Sequence, residues 1–151
     1  GTVTLKDIHR ICPHPINACR LSLTGKEILS ILHRSLDPSM KELKIRGLGF
    51  RGERMGMMAL NGLSVHYALT RENTPQILQV ETPDGPLEPD RLYSVATVDM
   101  FTFGPIFPEM HGKGDIQYFL PDFIRDLLIK RLQKGNFEQA KARRWIRHPS
   151  S

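Results

Sequence analysis

Between Ile11 and Glu27 the chain has little freedom of path. Pro13 and Pro15 fix their own φ and push the residues before them toward extended backbone. Ile11-Cys12-Pro13-His14-Pro15-Ile16 therefore reads as an irregular elbow. It runs directly into a strand from Ala18 to Leu23, which shows partial alternation. Thr24-Gly25-Lys26-Glu27 then forms a capping box, in which Thr24 and Glu27 satisfy each other's backbone N–H groups. The helix it opens carries Ile28, Leu29, Leu32 and Leu36 at helical spacing and is closed by Asp37-Pro38. An elbow pinned in this way aims its side chains in set directions, as a binding wall must. His14, flanked by two prolines, is the most constrained of them.

The rest of the chain mixes strands and helices without strict alternation, which predicts an α+β fold: a mixed sheet with packed helices. A short helix spans Thr4 to Ile11, with Thr4 as its cap, Asp7 near the positive end of its dipole, and Leu5, Ile8 and Ile11 on one face. Residues 41–56 are basic and Gly-rich. They match neither phosphate-binding fingerprint and read as a loop. Strands are expected over Leu63–Leu69, Gln76–Glu81 and Arg91–Val98, with Thr82-Pro83-Asp84-Gly85 as a turn. Asp99-Met100-Phe101-Thr102-Phe103-Gly104 follows the last of these as a loop of large side chains, surface that could line a ligand pocket. Pro121-Asp122-Phe123 is expected to start a helix with Pro in its first turn, with Phe123, Ile124, Leu127, Leu128 and Leu132 as its stripe. A polar helix is expected from about Phe137 to Ile146. Two segments result: a folded domain over 1–135 and a basic C-terminal helix or tail over 136–151.

Composition excludes several classes. The chain's 151 residues are enough for one core, and no apolar run approaches the roughly 18 residues of a membrane span. No signal-like N-terminus is visible, and the cytoplasm is slightly favoured over secretion. Two cysteines, Cys12 and Cys19, do not make a disulfide framework. With His14 they invite a metal reading, but zinc sites favour a closer spacing and a fourth ligand. The six histidines are scattered and form no ligand-spaced pair, and Gly-x-Ser-x-Gly and His-Glu-x-x-His are absent. The net charge of +5 is uneven: from Ile124 onward eight Lys or Arg face two acids, leaving the body near neutral. A nucleic-acid binder carries its basic footprint on the folded surface, with aromatics interleaved, and only Trp145 sits in the basic run. Nucleic acid is thus an unfavoured partner, and a structural or dimerising domain is the other alternative.

In order and spacing these segments resemble the C-terminal domain of the 5′-nucleotidase family, over roughly residues 1–132. The resemblance rests on the opening Gly1-Thr2-Val3-Thr4-Leu5-Lys6-Asp7-Ile8, on Pro13-His14, and on Leu23-Thr24-Gly25-Lys26-Glu27. It continues in Asn61-Gly62-Leu63-Ser64-Val65-His66-Tyr67 and in Pro86-Leu87-Glu88-Pro89-Asp90-Arg91-Leu92-Tyr93-Ser94-Val95. It implies a parent hydrolase of two domains. An N-terminal metallophosphoesterase domain of the same chain would hold divalent metals and hydrolyse nucleotides or related phosphate esters. The present domain would hold no cofactor and would bind a nucleotide-like small molecule, stacking its base between two rings.

The resemblance also implies site residues. His14 falls where the first ring of the family sits and Met100 where the second sits, with Phe101 and Phe103 beside it. Asn17 stands one place after the family's Asn, and Gly62 where the backbone approaches the ligand. His14 and Met100 replace Phe or Tyr, and the Gly-Gly-Asp-Gly that follows the second ring is missing. These departures imply a divergent branch whose substrate need not be a common nucleoside monophosphate.

Overall fold

The computed structural model describes residues 2–43, 57–104, 106–135 and 138–149. Most of the Gly-rich stretch read as a loop, residues 44–56, lies outside them. The elements run α1 (Leu5–Ile11), β1 (Asn17–Thr24), α2 (Gly25–Leu36), β2 (Ser64–Leu69), β3 (Pro75–Thr82), β4 (Gly85–Pro86), β5 (Leu92–Val98), β6 (Gln117–Phe123), α3 (Ile124–Lys134), α4 (Glu138–Lys141) and β7 (Trp145–Arg147). Three 3₁₀ turns lie at Pro38–Lys41, Asp99–Phe103 and Pro108–Met110. Helices and strands are mixed, as the expected α+β class requires, but the strands divide between two sheets. The described residues form two compact units, one of 2–23, 93–104 and 106–135, the other of 24–43, 57–92 and 138–149.

The first unit holds a three-stranded sheet in the order β5-β1-β6. β1 alternates cleanly, and its inward residues Cys19, Leu21 and Leu23 are wholly buried. Each buried leucine of this kind contributes about 1.5–3 kcal/mol. β1 and β6 are antiparallel, with Cys19 opposite Tyr118 and an irregularity between Asn17 and Cys19. α1 is capped as expected: Asp7 N–H donates to Thr4 Oγ1 at 3.3 Å, and Thr4 N–H donates to Asp7 Oδ2 at 2.9 Å. Of its three apolar residues only Ile8 is buried.

The expected start of α3 is corrected. Pro121, Asp122 and Phe123 end the strand β6, and the helix begins at Ile124. The start is set by Asp126, whose carboxylate accepts the Phe123 N–H at 2.9 Å. β6 lies at a sheet edge, a place where a strand proline is tolerated.

The second unit holds a four-stranded sheet in the order β4-β3-β2-β7. β2 and β3 make an antiparallel hairpin, with Val65 opposite Val80. α2 buries Ile28, Ile31, Leu32 and Leu36, whereas Leu29 is half-buried. Its capping box is present, with Thr24 N–H on Glu27 Oε2 at 2.8 Å and Glu27 N–H on Thr24 Oγ1 at 3.3 Å. The two N–H groups at the start of the helix are satisfied from a distant segment: Gly25 donates to the Arg91 carbonyl at 3.0 Å and Lys26 to the Pro89 carbonyl at 2.9 Å.

The expected polar helix to Ile146 is also corrected. Helix persists only over α4, and Trp145–Arg147 instead forms β7, parallel to β2 with Val65 opposite Trp145. Val65 N–H donates to the Arg144 carbonyl at 2.7 Å and His148 N–H to the Tyr67 carbonyl at 2.8 Å. The indole N–H of Trp145 donates to the Met58 carbonyl at 2.8 Å. His66 Nδ1 and His148 Nε2 lie 2.8 Å apart just beyond the strand. β-branched Val65 and aromatic Trp145 fit a pleated, half-buried surface, which outweighs the helical spacing of the segment.

Candidate functional site

The elbow and the turn after β5 lie in the first unit, and Asp99 ties them together. Its Oδ2 accepts the Asn17 N–H at 3.1 Å, and its Oδ1 accepts the Met100 N–H at 2.7 Å. One carboxylate thus joins the opening of β1 to the start of the turn. Asn17, nearly buried, also donates its side-chain Nδ2 to the Asp122 carbonyl at 2.9 Å. It positions β1 against β6. His14 is half-buried at the bend before β1. Arg125 of α3 steadies that bend, with Nη1 3.5 Å from the Pro13 carbonyl and its guanidinium 4.8 Å from the Phe123 ring centre.

The turn itself sorts its side chains. Met100 is 7% exposed, so its surface is taken up by packing. Phe101 is half-buried and meets the wholly buried Phe107 edge-on, with ring centres 5.1 Å apart. Phe103 is 52% exposed. Thr102 is buried, and its hydroxyl is 2.7 Å from the Asp99 carbonyl and 3.1 Å from the Tyr118 hydroxyl. His111 Nδ1 donates to the Thr102 carbonyl at 3.1 Å. The same ring lies 3.3 Å from where a Cβ on Gly104 would sit, and Gly104 has φ of +125°.

A thiol and a carboxyl group next to this region are shifted. Burial, with the Asp99 charge adding to it, pushes the Cys19 thiol up to about 11. Ser22, through its hydroxyl and its N–H, holds Asp115 below the ordinary carboxylate range, with the N–H contact at 2.8 Å.

Of the six residues singled out in the sequence, His14, Asn17, Met100, Phe101 and Phe103 belong to the first unit. Asp99 links Asn17 to the turn that carries the last three. Gly62 belongs to the second unit, with φ of +78° and no atom within 4 Å of a Cβ placed there. Its glycine serves the backbone conformation. Sequence reasoning missed the roles of Asp99 and Tyr118. An acid at a strand end gave a signal for Asp99, but none existed for Tyr118, because β6 was not recognised as a strand.

A separate cavity of about 470 Å³ in the second unit is lined by Ser30, His33, Arg34, Asp37, Thr74 and Pro75 among others, and by none of the six. Among the described residues no group of three or more His, Cys, Asp or Glu could hold a metal ion, and no helix is long and apolar enough to cross a membrane.

Comparison with known proteins agrees with this anatomy. Residues 1–105 match the family model described as 5′-nucleotidase, C-terminal domain. A relative in Bacillus subtilis, the uncharacterized metallophosphoesterase YunD, is 40% identical over 132 residues. That alignment takes in 87% of this chain and 29% of YunD. A 5′-nucleotidase precursor from Thermus thermophilus is similar in fold, with a TM-score of 0.69 and 16% identity, over 96% of this chain and 28% of that one. The NAD nucleotidase of Haemophilus influenzae gives a TM-score of 0.66 at 18% identity, over 99% of this chain and 27% of that one. This chain therefore spans less than a third of the length of these proteins, and it belongs to the 5′-nucleotidase C-terminal domain family.

Proposed function

We propose that this chain is the substrate-recognition domain of a two-domain, metal-dependent phosphoesterase acting on nucleotides or related phosphate esters. The observation that carries the reading is the match to YunD. An identity of 40% ties the chain to a metallophosphoesterase, while coverage of 29% leaves most of such a parent elsewhere. In this reading the divalent metals and the hydrolysis belong to an N-terminal metallophosphoesterase domain of the parent chain. The present domain contacts the base and sugar through the elbow and the turn after β5. His14, Phe101 and Phe103 offer surface there, Asn17 and Asp99 hold it in place, and Met100 packs behind it. Gly62 belongs to the other unit.

The test is the parent's kcat/KM on a panel of nucleoside 5′-monophosphates against ribose 5-phosphate, with a divalent metal supplied. Stacking of one base is worth about 1–3 kcal/mol, so a preference of about tenfold or more for at least one base-bearing ester is expected. Equal values across the panel would remove base recognition from this domain.

One observation favours a second reading, a structural or dimerising domain. Val3, Leu5, Ile11, Phe119 and Leu120 in the first unit are all large apolar residues left exposed. A dimer of the parent whose activity has no base preference would support it.

A further inference from the structure

We propose that Tyr118, with Phe103, forms the flat wall that receives the heterocyclic part of the ligand, in place of the buried Met100. The inference rests on the base-recognition reading above and names the residues that carry it out. A side chain can stack on a ligand only through a face that is not already packed. Met100 has no such face at 7% exposure, and Phe101 is half-buried and already engaged with Phe107 in a perpendicular ring contact. Tyr118 is 42% exposed and Phe103 is 52% exposed. Both flank Thr102, one across a hydrogen bond and the other as its chain neighbour.

Proton counting shows how Tyr118 is held. The Thr102 hydroxyl has one proton, and its 2.7 Å contact with the Asp99 carbonyl requires that proton. At its 3.1 Å contact with Tyr118, Thr102 is therefore the acceptor and the phenol the donor. The backbone of Tyr118 is fixed opposite Cys19 on β1, and its hydroxyl is fixed on the turn. The turn is in turn fixed to β1 by the Asp99 carboxylate. The ring is thus held at both ends without being buried, so little freedom remains to be lost when a flat ligand lies on it. Its donor is already committed, so beyond an acceptor at the phenol oxygen the ring offers a ligand its π-face. That suits a heterocycle of any base identity more than one particular base.

The test uses the full parent enzyme and the ratio of kcat/KM for its best nucleotide to kcat/KM for ribose 5-phosphate, which has no base. Tyr118→Leu is expected to lower the ratio by about ten- to a hundredfold, chiefly through the KM of the nucleotide. Tyr118→Phe keeps the ring and is expected to retain the ratio within about threefold. Should Tyr118→Leu fail to fold, Phe103→Leu decides, with an expected loss of about fivefold or more. An unchanged ratio in both leucine variants, beside a wild type that prefers the nucleotide, overturns the wall and leaves the base-recognition reading standing. An equal fall for both substrates also overturns it, because Tyr118 would then serve protein contacts. A wild type with no preference overturns the base-recognition reading and the wall with it.

Discussion

At the residue scale Gly25 shows what a short motif can hide. In the sequence it is part of Leu23-Thr24-Gly25-Lys26-Glu27, and capping alone does not require glycine at that place. The structure supplies the requirement. A Cβ on Gly25 would lie 2.1 Å from the Glu88 carbonyl oxygen and 2.8 Å from its carbon. Both are backbone atoms, held by the hydrogen bonds from Gly25 and Lys26 to Arg91 and Pro89. Two separate family-like motifs, around Thr24 and around Pro89, are thus one contact. Relief would need the 88–91 segment to move away from the helix start, breaking those bonds. Gly25→Ala is expected to cost about 3 kcal/mol, at the upper end of overpacking substitutions. A urea titration of the chain checks this. A midpoint within error of the wild type would show that the segment yields freely.

At the element scale the division between what could and could not be read follows the range of the interactions. α1 and α2 were legible because their determinants are local. Thr4 with Asp7 and Thr24 with Glu27 cap them within three residues. The end of β3 was legible from Thr82-Pro83-Asp84-Gly85, the turn that leads into β4. β7 was not legible, because its partner is β2, about eighty residues earlier, and nothing near Trp145 encodes that pairing. β6 escaped for the same reason, its partner being β1. The candidate site divides along the same line. The elbow around His14 and the turn at Asp99–Phe103 were visible, while the burial of Met100 and the placing of Tyr118 depend on tertiary packing. The pairing also changes what the C-terminal segment does. Trp145 spans the Met58 carbonyl at 2.8 Å and the Tyr67 ring, perpendicular to it at 6.2 Å between ring centres. Trp145→Ala is expected to cost about 2–3 kcal/mol, below the value for a fully buried tryptophan, and to lower the Tm by about 5–10 °C. Truncation after Gly135 removes β7 altogether and uncovers Val65, which is wholly buried. Cooperative melting of the second unit should then be lost. A truncated chain melting within a degree or two of the intact one would show that β7 adds nothing to the sheet.

At the scale of the whole molecule, charge and chemistry separate. The basic excess from Ile124 onward lacks, in sequence, the interleaved aromatics of a nucleic-acid footprint. In the structure several of these cations hold the protein's own groups. Lys130 pairs with Asp122, Arg125 reaches the Pro13 carbonyl and Arg144 reaches the Asn61 side chain at 3.3 Å. Binding to nucleic acid releases counterions in proportion to the phosphates neutralised, and cations engaged within the protein contribute little to that release. Chemistry on a phosphate ester needs a different set of groups. Dinuclear hydrolases hold two metals about 3.5–4 Å apart to clamp the attacking and leaving oxygens. Among the described residues no group of three or more His, Cys, Asp or Glu is gathered to do this. A part-buried polar network ties the start of β1, the turn after β5 and β6 together: Asp99 on Asn17 and Met100, Thr102 on Asp99 and Tyr118. On the proposed reading the chemistry belongs to the N-terminal domain of the parent, and that sets the expected behaviour of the chain by itself. Purified alone and supplied in turn with magnesium, manganese, cobalt or zinc, it is expected to release no phosphate from nucleoside monophosphates or from an aryl phosphate. The parent under the same conditions is expected to do so. Turnover that stays with the isolated chain through a second, independent purification, and that tracks its concentration, would place catalytic groups within these 151 residues and end the proposed division of labour.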